Sequence, residues 1–199
     1  FEDAHDPMSS LKKLSVVGLG KLGACMAATF AQRGFNVLGV DINPNVINTL
    51  NKGDIHIHEP GLRDVVAKAI QSGNIKFSTT PAEADAFIIA VPTPFKDNKY
   101  GDYNGQKYKL ADMRAVTSAT EAIVPHLRKG NLVVLESTSP PRTTVDLVKP
   151  ILERSGLRAG SDFHLAYSPE RARASSSPYR KCSASAMIVS VRRPRKSNF

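Results

Sequence analysis

Gly18-Leu19-Gly20-Lys21-Leu22-Gly23 carries three glycines at a spacing that suits one chemical task, holding a diphosphate on bare backbone. Gly18 permits a tight turn, Gly20 lets the main chain approach the ligand, and Gly23 lets the following helix lie close to the preceding strand. A helix opening at Lys21 and Leu22 would add free N–H groups and the positive end of its dipole. Asp41 stands 18 residues beyond Gly23. A carboxylate there can accept both ribose hydroxyls of an adenosine and repels a 2′-phosphate, which favours NAD over NADP. The competing explanation is a glycine-rich turn with Asp41 capping a helix.

Three further segments place polar groups just after apolar runs. In Val91-Pro92-Thr93-Pro94, Thr93 can donate or accept a hydrogen bond between rigid prolines. Glu136-Ser137-Thr138 repeats the arrangement, and Ser168-Pro169-Glu170-Arg171 does so again. Glu170 could act as acid or base, and Arg171 could pair with a phosphate or carboxylate. Ordinary turns and surface charges are the alternative for each segment alone. His56 and His58 flank Ile57 without an evident third ligand, so no metal site is expected. Cys25 is small and close to the glycine turn, which suggests packing rather than reactivity.

These residues need a frame that brings strand ends together. Residues 14–18, 36–41, 75–78, 86–91, 132–135 and 164–167 are short β-rich runs, several of them fully apolar. Such runs read as buried parallel strands. Helical spacing predicts helices over 21–33, 44–51, 62–71, 111–127 and 143–154. Residues 96–109 are polar and contain glycine, so the expectation there is a surface loop. Alternating strands and helices with short connections predict an α/β fold, a doubly wound, Rossmann-like parallel sheet.

The chain has 199 residues and a net charge of +9. Residues 172–199 hold Arg173, Arg180, Lys181, Arg192, Arg193, Arg195 and Lys196 and no acid, which leaves +2 on everything before them. The basic character therefore belongs to the tail, and a nucleic-acid partner is not expected. The expected organisation is a dinucleotide-binding domain over 8–171 and a disordered basic C-terminal tail over 172–199, with Met8 as the natural start. No stretch of 18 apolar residues is present, so no membrane span is expected, and with no secretory signal visible a cytoplasmic location is the default.

Taken together, the segments VGLGKLG at 17–23, GVDIN at 39–43, GDIHIHEPGL at 53–62, STTP at 78–81, EADA at 83–86, AVPTPFK at 90–96, LESTSP at 135–140 and YSPER at 167–171 resemble the UDP-glucose/GDP-mannose dehydrogenase family. They follow the family order and are closest to its bacterial UDP-N-acetyl-D-mannosamine branch. The resemblance implies oxidation of the C6 alcohol of a UDP-sugar to a carboxylate, with two NAD reduced. It implies cofactor contacts from Gly18, Gly20, Lys21, Leu22, Gly23, Asp41, Thr93 and Thr138, a catalytic acid or base in Glu170, and substrate binding by Arg171. Full-length members form homo-oligomers. Position 21 is usually bulkier and often aromatic in the family, so Lys21 departs from it and could add a phosphate contact. After Arg171 the family continues into a catalytic Lys and Asn and a glycine-flanked Cys. That pattern is missing here, and Cys182 has no such setting. The expectation is therefore a chain truncated or frame-disrupted after Arg171 and inactive alone, with a non-catalytic dinucleotide-binding module as the alternative.

Overall fold

The computed structural model describes residues 11–59 and 61–169. Its centre is β1 (Lys13–Val17), followed by α1 (Lys21–Gln32), β2 (Asn36–Val40), α2 (Pro44–Asn51), α3 (Leu62–Gln71) and β3 (Ile75–Ser78). The chain then returns to the far side of β1 as β4 (Ala86–Ile89). Next come β5 (Phe95–Tyr103), β6 (Gln106–Ala111), α4 (Arg114–Ile123), β7 (Leu132–Leu135), α5 (Lys149–Leu152) and β8 (His164–Tyr167). Six strands form one parallel sheet in the order β3-β2-β1-β4-β7-β8. The order reverses between β1 and β4, and in such sheets ligands bind at the carboxyl ends of the strands flanking that point.

Each strand divides its side chains between two cores, because successive residues face opposite ways. Leu14, Val16, Ala86, Ile88, Leu132 and Val134 pack with Ala27, Ala28 and Ala31 of α1 and Leu62, Val66 and Ala69 of α3. Val17, Phe87, Ile89, Val133 and Leu135 pack with Val116 and Ile123 of α4 and with Val148 and Leu152. The strands are apolar on both faces because helices cover both. No helix among the described residues is long and apolar enough to cross a membrane.

Ser15 sits between Leu38 and Phe87 in the register of the three central strands and is 0% exposed. Its hydroxyl has no hydrogen-bond partner among the described residues. A buried hydroxyl left unsatisfied costs about 1–3 kcal/mol. Ser15→Ala should therefore raise stability by about 1 kcal/mol, read as a higher urea midpoint at unchanged slope. A lower midpoint would show that the hydroxyl is satisfied after all.

Three expectations change. Residues 96–109 are not a loop: β5 and β6 form an antiparallel hairpin. Its turn residues Asn104 and Gly105 have φ of 52° and 78°. Both being positive is what a two-residue hairpin turn with the correct twist requires, and Asn-Gly meets that requirement best. On one face Tyr108 lies directly over Gly101, so close that a Cβ there would sit 2.5 Å from the phenolic oxygen. The ring thus covers backbone that Gly101 leaves bare.

The helix predicted over 111–127 starts later, at Arg114, and ends at Ile123, before Pro125. Asp112 accounts for the start. Its N–H donates to Pro94 O at 2.7 Å, closing the base of the hairpin. Its carboxylate accepts from the Arg114 side chain and the Arg114 N–H. The Arg114 guanidinium, and then its N–H, hold the Asp112 carboxyl down at about 2. Because that pKa is lowered on folding, this tie is intact above the usual carboxylate range and is lost as pH falls from about 4 toward 2. In the helix expected over 143–154, Thr144–Val148 forms a widened π turn immediately before α5. Pro150 explains it, since its ring crowds the carbonyl four residues back and it has no N–H to donate.

Candidate cofactor site

The backbone after β1 turns sharply, and each glycine of the turn has a separate geometric reason. Gly18 has φ +97°, and a Cβ on it would come within 2.7 Å of Ala90 O. Gly23, in the first turn of α1, has no room either: a Cβ would lie 1.8 Å from Gly18 O. Gly20 differs. Its φ of −62° and ψ of −172° suit any residue. A Cβ there would meet nothing within 4 Å.

That open space faces the start of α1. Gly20 provides no side-chain cap, and the first turn contains no acidic residue. The opening N–H groups of a helix lack intrahelical acceptors, so an anion is a suitable partner for them. The residues present therefore fit a diphosphate, as the glycine spacing predicts.

Asp41 follows β2 on the same side. Its Oδ2 accepts the Leu19 N–H at 3.0 Å, and its Oδ1 accepts the Asn43 N–H at 3.0 Å. The capping role falls to Asn43, whose side chain accepts from Asn45 N–H at the start of α2. Asp41 is thus no helix cap; it braces the glycine turn itself. Each carboxylate oxygen retains a further lone pair for a ribose hydroxyl.

The loops after β4 and β7 meet on the other side of β1. Thr93 Oγ1 donates to Thr138 O at 2.6 Å, joining two predicted contacts directly. Ser137 Oγ donates to Val91 O at 2.7 Å, a tie that no local pattern announced. Together with Gly20, Lys21 and Leu22, residues 90–93 and 136–138 line a cleft of about 320 Å3. Lys21 Nζ pairs with Glu59 Oε2 at 2.5 Å, so the segment before α3 is tied to the mouth of this cleft. Glu59 was not among the expected site residues, and Glu136 was named only as the first residue of the strand-end segment that leads to Thr138.

His56 and His58 are exposed, whereas Ile55 and Ile57, which alternate with them, pack against the core of α1 and α3. Cys25 is 6% exposed in that same core. β8 ends beside β7, where Ser168 N–H donates to Leu135 O at 3.0 Å. Glu170, Arg171, Cys182 and the basic tail lie outside the described residues.

Comparison with known proteins bears on this site directly. The profile of the UDP-glucose/GDP-mannose dehydrogenase family, NAD binding domain, matches residues 12–198. UDP-N-acetyl-D-mannosamine dehydrogenase of Campylobacter jejuni is 47% identical over 171 residues, covering 82% of this chain and 40% of that enzyme. Its counterpart in Escherichia coli strain K12 is 44% identical, covering 81% and 38%. Among solved structures, the UDP-N-acetyl-mannosamine dehydrogenase of Staphylococcus aureus superposes with a TM-score of 0.74 at 44% identity, over 81% of this chain and 37% of that one. A ternary complex of GDP-mannose dehydrogenase from Pseudomonas aeruginosa gives 0.70 at 32% identity, over 80% and 36%. The chain spans about 40% of the length of the relatives it matches. With glycine turn, strand-end carboxylate and paired threonine loops all in place, this chain belongs to the UDP-glucose/GDP-mannose dehydrogenase family and is built on its NAD-binding domain.

Proposed function

We propose that the chain is the cofactor-holding part of a nucleotide-sugar 6-dehydrogenase, with a UDP-sugar such as UDP-N-acetylmannosamine as substrate. The cleft that runs from the Gly20 turn to the Thr93–Thr138 bridge carries this reading. The names of its relatives at 44–47% identity support the sugar class. NAD supplies the hydride acceptor for such an oxidation. The residues of this chain bind it at the diphosphate, orient it through Asp41 and Thr93, and line the cleft that receives it. Glu170 is the proposed acid or base and Arg171 the proposed contact to the nucleotide sugar. The same reading expects the full-length protein to be a cytoplasmic homo-oligomer.

The test is complementation. The 199-residue chain alone should bind NAD and leave UDP-N-acetylmannosamine unoxidised. Mixed with the remaining part of the Campylobacter jejuni relative, it should restore NADH production. A second reading, a dinucleotide-binding module without catalysis, draws on the cleft that Gly20, Thr93 and Thr138 line in this chain. NAD binding with no restored turnover would favour it.

Choice of cofactor gives a further expected result. Asp41→Asn keeps an acceptor for the Leu19 N–H but removes the charge that repels a 2′-phosphate. The ratio of NAD to NADP affinity should fall by about tenfold, about 1.4 kcal/mol, in parallel calorimetric titrations. An unchanged ratio would mean that Asp41 serves the turn alone.

A further inference from the structure

The strands β4 and β7 stay paired as far as Ile89 opposite Leu135. Just past that point the N–H groups of Glu136 and Ser137 both donate to Ile89 O, at 2.9 and 3.1 Å. The ladder cannot simply continue, because Pro92 and Pro94 have no N–H to give it. Two hydroxyls take over the pairing. Ser137, 5% exposed, donates from the loop after β7 to Val91 O at 2.7 Å. Thr93 donates in the opposite sense, from the loop after β4 to Thr138 O at 2.6 Å. Each loop is thus held by a side chain of the other. Val91, Thr93, Ser137 and Thr138 all line the cleft.

Strand order assigns this clasp to one half of a dinucleotide. Asp41 follows β2 on one side of β1, and β4 and β7 lie on the other. With the adenosine ribose on Asp41 and the diphosphate on the turn after β1, the second half runs over the ends of β4 and β7. The glycine turn is held separately from the clasp. Ala90, which crowds Gly18, donates its N–H to Val17 O at 2.8 Å, before the loop begins.

We propose, resting on the reading that this cleft takes NAD, that Ser137 is a positioning residue for the nicotinamide half of the cofactor. It acts through Val91. By fixing the loop after β4 against the loop after β7, its hydroxyl sets the width of the cleft before the cofactor arrives. A wall fixed in advance spares the ligand the cost of ordering it, and the saving appears as affinity. Without the hydroxyl Val91 O loses this donor, and Thr93 must hold the two loops without its counterpart. One neutral hydrogen bond corresponds to about a fivefold change in an equilibrium.

The experiment compares NAD with ADP on the 199-residue chain. ADP carries the adenosine and the diphosphate but lacks the second ribose and the nicotinamide, so it reports only the Asp41 and glycine-turn end. Calorimetric titrations with each give the two affinities. Ser137→Ala should weaken NAD by about fivefold and change ADP by less than about twofold. Equal weakening of both, as a merely structural Ser137 would give, overturns the proposal, and so does no change in either. Should the Ala variant fail to fold, Ser137→Cys, close in size but a much weaker donor, carries the same test with the same expected change. A parent chain that binds NAD no more tightly than ADP also overturns it, since the second half would then gain nothing from this wall. If the parent binds neither, the NAD reading itself falls and this proposal with it. If the parent prefers NAD and the substitutions leave that preference intact, only this proposal falls.

Discussion

Gly20→Ala is expected to leave the fold as stable as the parent chain, within about 1 kcal/mol, while weakening NAD binding about a hundredfold. Nothing in the protein itself requires a glycine at that position. The backbone conformation is open to all residues, and an added methyl meets no atom within 4 Å. The methyl would instead occupy the space through which a diphosphate reaches the N–H groups at the start of α1. Hydrogen bonds from backbone to a charged group contribute about 1.5–3 kcal/mol each, so the loss of one or two accounts for the hundredfold figure. Calorimetric titration with NAD, paired with a thermal melt, measures both halves of the statement. Parent-like NAD affinity in a folded Gly20→Ala chain would remove the diphosphate from this turn.

Gly23→Ala, three residues along, should do the opposite and act through the fold. The added methyl would lie 1.8 Å from Gly18 O and 3.4 Å from the Ala90 side chain. The first of these is a backbone atom of the turn, which cannot rotate away as a flexible side chain would. Either α1 shifts off β1 or the turn opens, and α1 is joined to the core through Ala27, Ala28 and Ala31, which leave no slack. The expected cost is about 3 kcal/mol or more, beyond the usual range of a single methyl because backbone must move. Urea denaturation reads it as a lowered midpoint, and NAD should restore little of the loss. A parent-like midpoint would mean that the turn is wider than the geometry described here. The two variants make the same chemical change, so their contrast separates what a ligand demands of a glycine from what packing demands.

Much of this was legible in advance because it is local. The alternation of apolar strands and helices follows from side-chain periodicity, and the reading of a parallel sheet covered on both faces follows from strands such as 86–91 and 132–135 that are apolar throughout. The reading of 96–109 as a loop failed for an equally physical reason. Both faces of the hairpin are largely exposed, so its strands show no apolar alternation. The one available signal was the Asn104-Gly105 pair. The late start of α4 depends on the Asp112–Arg114 contact, and the π turn before α5 on how Pro150 is accommodated, neither of which periodicity reports.

From the sequence alone came the glycine turn, the carboxylate at 41 and the threonines at 93 and 138, since each sits a fixed short distance from the end of a readable strand. The fold decided which of those strand ends share a cleft. Thr93 meets Thr138 across 45 positions, Lys21 meets Glu59, and Leu19 donates to Asp41. The buried place of Glu136 beside Thr138 on that cleft became visible only with the order of the strands. That order is set by right-handed crossovers and by the packing of two helical layers, interactions between residues far apart in the chain, and no short window of sequence contains them.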